Sequence, residues 1–349
     1  MRVIQLGPDA PGVWRGSLAW TEEDGAWQPW RLPPERVETA HAPDLVARAR
    51  MAAGIRAAVQ TDATALELRV IALDGEVAPL DVVVDGVLWR REPLAAGATD
   101  RRVPLPPGRK VVEVWLPQFG EARIGPLLLH GATAAEPAGA DGEVRWVTYG
   151  SSITQCRTAS GPSETWPALV ARHLGWDLTC LGFSGECHLD PIAARAIAER
   201  PADLISLCLG INVYGRGSFG PRTLAGQVSG FVQTIRDAHP AVPIVVISPI
   251  SSPSRETLPN PAAMTLEDVR DAVAAAVTTL RRRGDALLHL VDGPSVLGPD
   301  HAHLLPDGLH PDADGYRLMA ERLAPRLAAI RSTPTKERTC RDLGTTPAG

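Results

Sequence analysis

From Val144 to Ile330 the chain alternates between short apolar runs and longer segments of helical period. This alternation limits the fold more than any other feature. The apolar runs are Val144–Tyr149, Leu178–Phe183, Leu204–Leu209, Ile244–Ile250 and Leu287–Val291. Glu164–Leu174, Ile192–Glu199, Thr223–Ala238, Leu266–Arg283 and Ala313–Ile330 carry apolar residues at helical spacing. Strand and helix in strict succession predict a mostly parallel sheet with helices on both faces, because parallel strands need a crossover between them. Ligands of such a sheet gather at the carboxyl ends of its strands.

The first 130 residues read differently. Gly54–Gln60, Leu66–Ala72, Leu80–Val84 and Val111–Leu116 are short runs, several of them alternating, and Asp85-Gly86 supplies a turn. Such spacing predicts an all-β, sandwich-like domain. Six of the nine tryptophans lie here: Trp14, Trp20, Trp27, Trp30, Trp89 and Trp115. They either line a carbohydrate-type binding face or fill the core and edges of a small β domain, the more common use. Gly131–Glu143 is small, polar and broken by Pro and Gly, as a linker or long surface connection would be. We expect a β domain over 1–135, an α/β domain over 143–332 and a disordered tail over 333–349, which shows no periodicity.

Charge and composition exclude other classes. The 349 residues carry a formal net charge of −5, so no basic excess exists for nucleic acid, and no such partner is expected. No apolar run reaches the roughly 18–20 residues of a membrane span. The N-terminus lacks the apolar stretch of a signal peptide, and a cytoplasmic location is expected. The five cysteines form no Cys-x-x-Cys pair; Cys156, Cys180, Cys187 and Cys208 read as buried reduced thiols, while Cys340 lies in the polar tail.

The residues just beyond the strand ends carry the chemistry. The first strand runs into Gly150-Ser151-Ser152-Ile153-Thr154, the second into Gly182-Phe183-Ser184-Gly185 and the third into Gly210-Ile211-Asn212-Val213. After the fifth comes Asp307-Gly308-Leu309-His310. A serine, a glycine, an asparagine, an aspartate and a histidine are thus expected on one face of one sheet. A serine hydroxyl needs a base at neutral pH, the base needs an orienting carboxylate, and a tetrahedral intermediate needs preorganised donors. The Asp-x-x-His spacing lets both side chains point the same way.

These blocks resemble the SGNH (GDSL-like) hydrolase superfamily, all four in order across roughly 144–330. The resemblance implies a flavodoxin-like α/β hydrolase domain. It implies Ser152 as nucleophile, Asp307 and His310 as the rest of the triad, and an oxyanion hole from Ser152, Gly185 and Asn212. No Gly-x-Ser-x-Gly elbow occurs, which argues against an ordinary α/β-hydrolase. The chain departs from the pattern at Ser151, where the first block has Asp, and at Val213, where Asp often follows the Asn block. A closer resemblance is to the bacterial subgroup whose hydrolase domain follows a β domain called GxDLY. It rests on Gly150 to Thr154, on Glu164-Thr165-Trp166-Pro167 and on Gly185 to Asp190. Pro79-Leu80-Asp81-Val82-Val83 keeps only the Asp of that signature.

Ser151 and His188 are candidate substrate-pocket residues; Asp190 either joins them or caps the helix that Pro191 opens. His301-Ala302-His303 reads as a solvated loop in preference to a metal site. The resulting expectation is a serine esterase with an acyl-enzyme on Ser152, a small-molecule ester substrate and no metal or organic cofactor. The alternative is an acyltransferase moving an acyl group from a thioester to a hydroxyl of a small-molecule natural product. A third reading, a glycan-binding module on an inactive hydrolase domain, is opposed by the intact Ser152, Asp307 and His310. Oligomeric state is not legible.

Overall fold

The computed structural model describes residues 2–73, 75–139 and 142–333. The expected tail, apart from its first residue, and Cys340 lie outside them. The C-terminal half holds a five-stranded parallel sheet. Its strands are Arg145–Gly150, Asp177–Gly182, Leu204–Cys208, Ile244–Ile247 and Leu288–Val291, in spatial order 2-1-3-4-5. All five apolar runs became strands, and all five helical patterns became helices, with ends shifted by a few residues. The central strands are buried on both faces, which is why they read as continuous apolar runs. Reversal of strand order after the second strand, with right-handed crossovers, sends the helices to opposite faces. Trp166–Leu174 accordingly packs on Ala313–Arg331, while Pro191–Glu199 packs on Leu224–Ala238 and that helix on Leu266–Arg282. The switch point lies between the first and third strands, where this topology opens a crevice.

The N-terminal half is a sandwich of two antiparallel sheets. One runs Ala19–Glu23, Ala26–Trp30, Ala122–His130, Ala65–Ala72, Gly97–Pro104, with Val3–Leu6 also on Ala122–His130. The other runs Ala135–Pro137, Arg56–Thr61, Lys110–Trp115, Leu80–Val84, Val87–Glu92, with Trp14–Arg15 on Arg56–Thr61. Ala135–Pro137 falls inside the stretch expected as a linker. It is an edge strand, and Asp62 ties its approach by accepting the Thr133 amide at 2.8 Å. A second difference is helical: a 3-10 turn over Pro34–Ala40 and a helix over Pro43–Ala49 interrupt the β half. Each spans only seven residues and opens on proline, too short for a period to stand out in sequence.

The three central strands of the second sheet are largely buried on both faces, and their residues sort by parity. Leu80, Val82, Val84, Val112 and Val114 face the sandwich core. Val83 and Trp115 join the core of the α/β half, together with Trp30, Leu32 and Leu45. The polar residues on that outer face are met by partners across the junction. Asp81, wholly buried, accepts Arg91 Nε at 2.7 Å and Nη2 at 2.9 Å, and the Ser163 hydroxyl at 2.7 Å. Arg91 also reaches Glu164 at 2.6 Å. Arg56 pairs with Asp177 at 3.0 Å and lies over the Trp115 ring. Among the described residues no carboxylate pairs with Arg31; it donates to the carbonyls of Arg48, Met51, Cys180 and Gly182 and sits over Phe183. Burial pushes its guanidinium down to about 10. The tryptophans divide between the two cores, Trp14, Trp20 and Trp27 on the sandwich side and Trp30 and Trp115 on the side of the α/β half. Trp14, Trp30 and Trp115 are core residues, Trp14 meets Trp20 edge to face, and Trp89 is exposed.

Candidate active site

The end of the first parallel strand fixes the first element of the site. Ser151 is 2% exposed and caps a one-turn helix, Ser152–Gln155, by accepting the Ile153 amide at 3.2 Å. Ser152 therefore starts the helix at the strand's carboxyl end. Two contacts hold this turn. The Trp166 indole donates to the Ile153 carbonyl at 2.9 Å. Gly182 lets the neighbouring strand approach so closely that a Cβ there would stand 2.5 Å from the Gln155 amide nitrogen. Ser151 also lines, with Ile153, Cys208, Leu209, Ile211 and Met319, a small, partly open pocket of about 20 Å³, room for about one water.

The Ser152 hydroxyl meets His310 Nε2 at 2.8 Å, and His310 Nδ1 meets Asp307 Oδ2 at 2.6 Å. The second carboxylate oxygen, Asp307 Oδ1, accepts the amides of Leu309 at 2.9 Å and His310 at 2.7 Å. That turn needs a left-handed residue, and Gly308 supplies it at φ +73°. Partial burial opposes ionisation of Asp307. The bonds from the His310 ring, from the two amides and the imidazole's field outweigh it and hold the carboxyl down at about 2. Asp307 is thus a fixed anion that orients the imidazole and leaves Nε2 to Ser152.

Asn212 comes from the third strand, after Gly210, whose φ of +115° turns the chain into the helix Ile211–Arg216. Its Oδ1 accepts the Cys187 amide at 3.0 Å. Because the donor is a backbone N–H, the carboxamide oxygen is fixed there and the Nδ2 hydrogens remain as donors. Gly185 lies in a 3-10 turn, Ser184–Glu186, and a Cβ on it would enter open space. His188 ties this turn down. Its Nε2 bonds the Gly185 carbonyl at 3.0 Å and its Nδ1 the Ser218 hydroxyl at 2.7 Å. A carbonyl only accepts, so Nε2 carries a hydrogen directed at Gly185. Asp190 stands at the N-cap of Pro191–Glu199 but makes no cap bond, and burial raises its carboxyl.

Sequence reasoning missed the groups behind the Asp307–His310 turn. The Gly308 carbonyl accepts Ser252 Oγ at 2.6 Å and Arg255 Nη1 at 3.1 Å. Both come from the long connection after the fourth strand, which has no period to betray it. Trp166 was visible in the resemblance, but its bond to Ile153 was not. His301 and His303 stack, and His301 Nε2 accepts from Arg322 at 3.0 Å. Among the described residues, no group of three or more His, Cys, Asp or Glu side chains is placed to hold a metal.

The profile of the GDSL-like lipase/acylhydrolase family matches residues 148–318. That of the SsfX3 N-terminal domain matches residues 13–123. No curated protein matches the chain in sequence. Among solved structures it is similar to the salicylyl-acyltransferase SsfX3 of a tetracycline biosynthetic pathway. Identity is 36%, coverage 95% of this chain and 98% of that one, and the TM-score 0.86. It also shares its fold with a Bacteroides ovatus protein described as a GDSL-like lipase (21% identity, 94% and 97% covered, TM-score 0.76). The fold recurs in a family two carbohydrate esterase of Cellvibrio japonicus (16%, 95% and 98%, TM-score 0.62). With a relative at 36% identity matched over nearly the whole of both chains, the protein belongs to the GDSL-like (SGNH) hydrolase family of esterases and acyltransferases, in the form that carries an N-terminal β domain.

Proposed function

We propose that this protein is a serine-dependent acyl hydrolase that forms an acyl-enzyme on Ser152 from a small-molecule ester. The hydrogen-bonded chain Asp307–His310–Ser152 carries this reading. Ser152 Oγ attacks the ester carbonyl while His310 Nε2 takes its proton, and Asp307 stabilises the imidazolium. The carbonyl oxygen, now an anion, is received by the amides of Ser152 and Gly185 and by Asn212 Nδ2. His310 returns the proton to the departing alcohol. Water then attacks the acyl carbonyl as His310 takes its proton; the acyl–Oγ bond breaks, His310 returns that proton to Ser152 Oγ, and the acid leaves. No metal or organic cofactor takes part in these steps.

A second reading, with a hydroxyl of a small molecule in place of water, is favoured by the likeness to a salicylyl-acyltransferase over both halves of the chain. Both readings share the acyl-enzyme and differ in what discharges it. Incubation with an acyl-thioester donor, with and without phenolic or aliphatic alcohols, separates them. Free acid alone in every mixture supports the hydrolase; acylated alcohol in preference to acid, in aqueous buffer, supports transfer. Absence of both products, with no covalent Ser152 adduct, would contradict the two together. Four unpaired thiols, Cys156, Cys180, Cys187 and Cys208, fit a reducing compartment, and we place the protein in the cytoplasm on that ground. Among the described residues, no helix is long and apolar enough to cross a membrane.

A further inference from the structure

We infer that Arg255 and Ser252 are positioning residues of the active site, acting on Asp307 through the Gly308–Leu309 peptide unit. This rests on the reading of Ser152, His310 and Asp307 as a working triad. One peptide plane links the two sides. Its carbonyl, on Gly308, accepts Ser252 Oγ at 2.6 Å and Arg255 Nη1 at 3.1 Å. Its N–H, on Leu309, donates to Asp307 Oδ1 at 2.9 Å. A cation and a hydroxyl on the carbonyl polarise the amide, and a polarised amide donates more strongly, as in any hydrogen-bond chain. The same bonds fix the rotation of the plane, and so the direction from which Asp307 is approached.

The clamp is itself braced. Ser252 is buried, and its own amide donates to Glu256 Oε1 at 2.7 Å. Arg270 holds Glu256 with two bonds of 2.6 Å and reaches the Pro249 carbonyl at 2.9 Å. Arg255 Nη1 also donates to Ser252 Oγ at 3.0 Å, leaving the serine hydrogen for Gly308. The connection is anchored at its far end as well: Tyr214 donates to the Leu258 carbonyl at 2.9 Å, and Asn260 Nδ2 to the Tyr214 carbonyl at 2.9 Å. Tyr214 belongs to the helix that bears Asn212. The loop therefore spans the two sides of the site, from the oxyanion asparagine to the histidine turn.

Neither residue is expected to touch substrate, so the loss should fall on turnover. Arg255→Met removes the cation and donor at similar length; Arg255→Lys restores a cationic donor. With p-nitrophenyl acetate, Arg255→Met should lower kcat roughly 10- to 100-fold, the cost of a slightly misplaced catalytic group. KM should stay within about twofold, and Arg255→Lys should recover most of the loss. The rate of Ser152 labelling by a fluorophosphonate should fall in step with kcat. Ser252→Ala, combined with Arg255→Met, should fall further than either alone. Melting temperatures report folding independently. A folded Arg255→Met with wild-type kcat and labelling overturns this inference alone, as does a rise confined to KM. A folded wild type that takes no label overturns the triad reading, and this inference with it.

Discussion

Replacing Asp307 with Asn should do at least as much damage as replacing it with Ala, and the reason lies in two backbone amides. Asp307 Oδ1 accepts Leu309 N–H at 2.9 Å and His310 N–H at 2.7 Å. An asparagine at 307 keeps its carbonyl oxygen there, because the flipped amide would turn its NH2 against both donors. Each unpaired donor costs about 1–3 kcal/mol when dry, and water at this half-exposed side chain reduces the total to about 1–2 kcal/mol. That still favours the damaging orientation by roughly tenfold. The NH2 then stands where Oδ2 now meets His310 Nδ1 at 2.6 Å. Nδ1 must become an acceptor, the ring hydrogen moves to Nε2, and the Ser152 proton loses its base. The expected loss in kcat is about 10⁴-fold, or about 5 kcal/mol of barrier. In Asp307→Ala, water can accept from Nδ1 and the productive tautomer survives in part. Initial rates with p-nitrophenyl acetate measure both variants, with fluorophosphonate labelling as a substrate-free check. An Asn variant within tenfold of wild type, or far more active than the Ala variant, would contradict this assignment of the His310 tautomer.

The other predictions concern the oxyanion, the junction and the acid limit. Asn212→Ala should lose roughly 10²–10³ in kcat, since its Nδ2 is the donor that the Cys187 bond leaves free; unchanged turnover would remove it from the mechanism. Asp81→Ala leaves Ser163 without its buried acceptor and Arg91 with Glu164 alone, and should destabilise the protein by about 1–3 kcal/mol in urea unfolding. A loss under about 1 kcal/mol would mean that water replaces the carboxylate. The Thr133 hydroxyl, with the Thr133 and Ala134 amides, holds the Asp62 carboxyl down at about 2, below its ordinary 3.8. A lowered carboxylate stabilises the fold above the unfolded value, and that contribution is lost as pH falls through the folded one. The wild-type melting temperature should therefore drop between about pH 4 and pH 2, and Asp62→Ala should show a smaller drop from a lower start. Parallel curves for the two proteins would contradict the assignment.

The α/β half was legible because its signals are local. Each central strand is buried on both faces and reads as one apolar run, and each helix is long enough for its period to show. Three of the four chemistry-bearing blocks adjoin strand ends directly, so the strand pattern alone places them on one rim. The β half was half legible. Leu80–Val84 reads as continuous apolar residues around one aspartate because the sandwich takes one face and the α/β half the other. Ala135–Pro137 looked like a linker because a three-residue edge strand has too few side chains to show alternation. The groups behind the site were invisible for a different reason. Ser252 and Arg255 act on Gly308 across more than fifty residues of sequence, and Arg31 reaches Gly182 across far more. His188 was singled out as a pocket residue, while its bonds to Gly185 and Ser218 depend on two loops meeting, which no spacing records.

Every step of the proposed chemistry depends on Ser152 being an activated nucleophile that carries the acyl group. Intact-protein mass spectrometry after a fluorophosphonate, on wild type and Ser152→Ala, tests it most directly. One adduct is expected on wild type, mapped to Ser152, and none on the variant. A folded wild type without an adduct, or an equal adduct on Ser152→Ala, would contradict it.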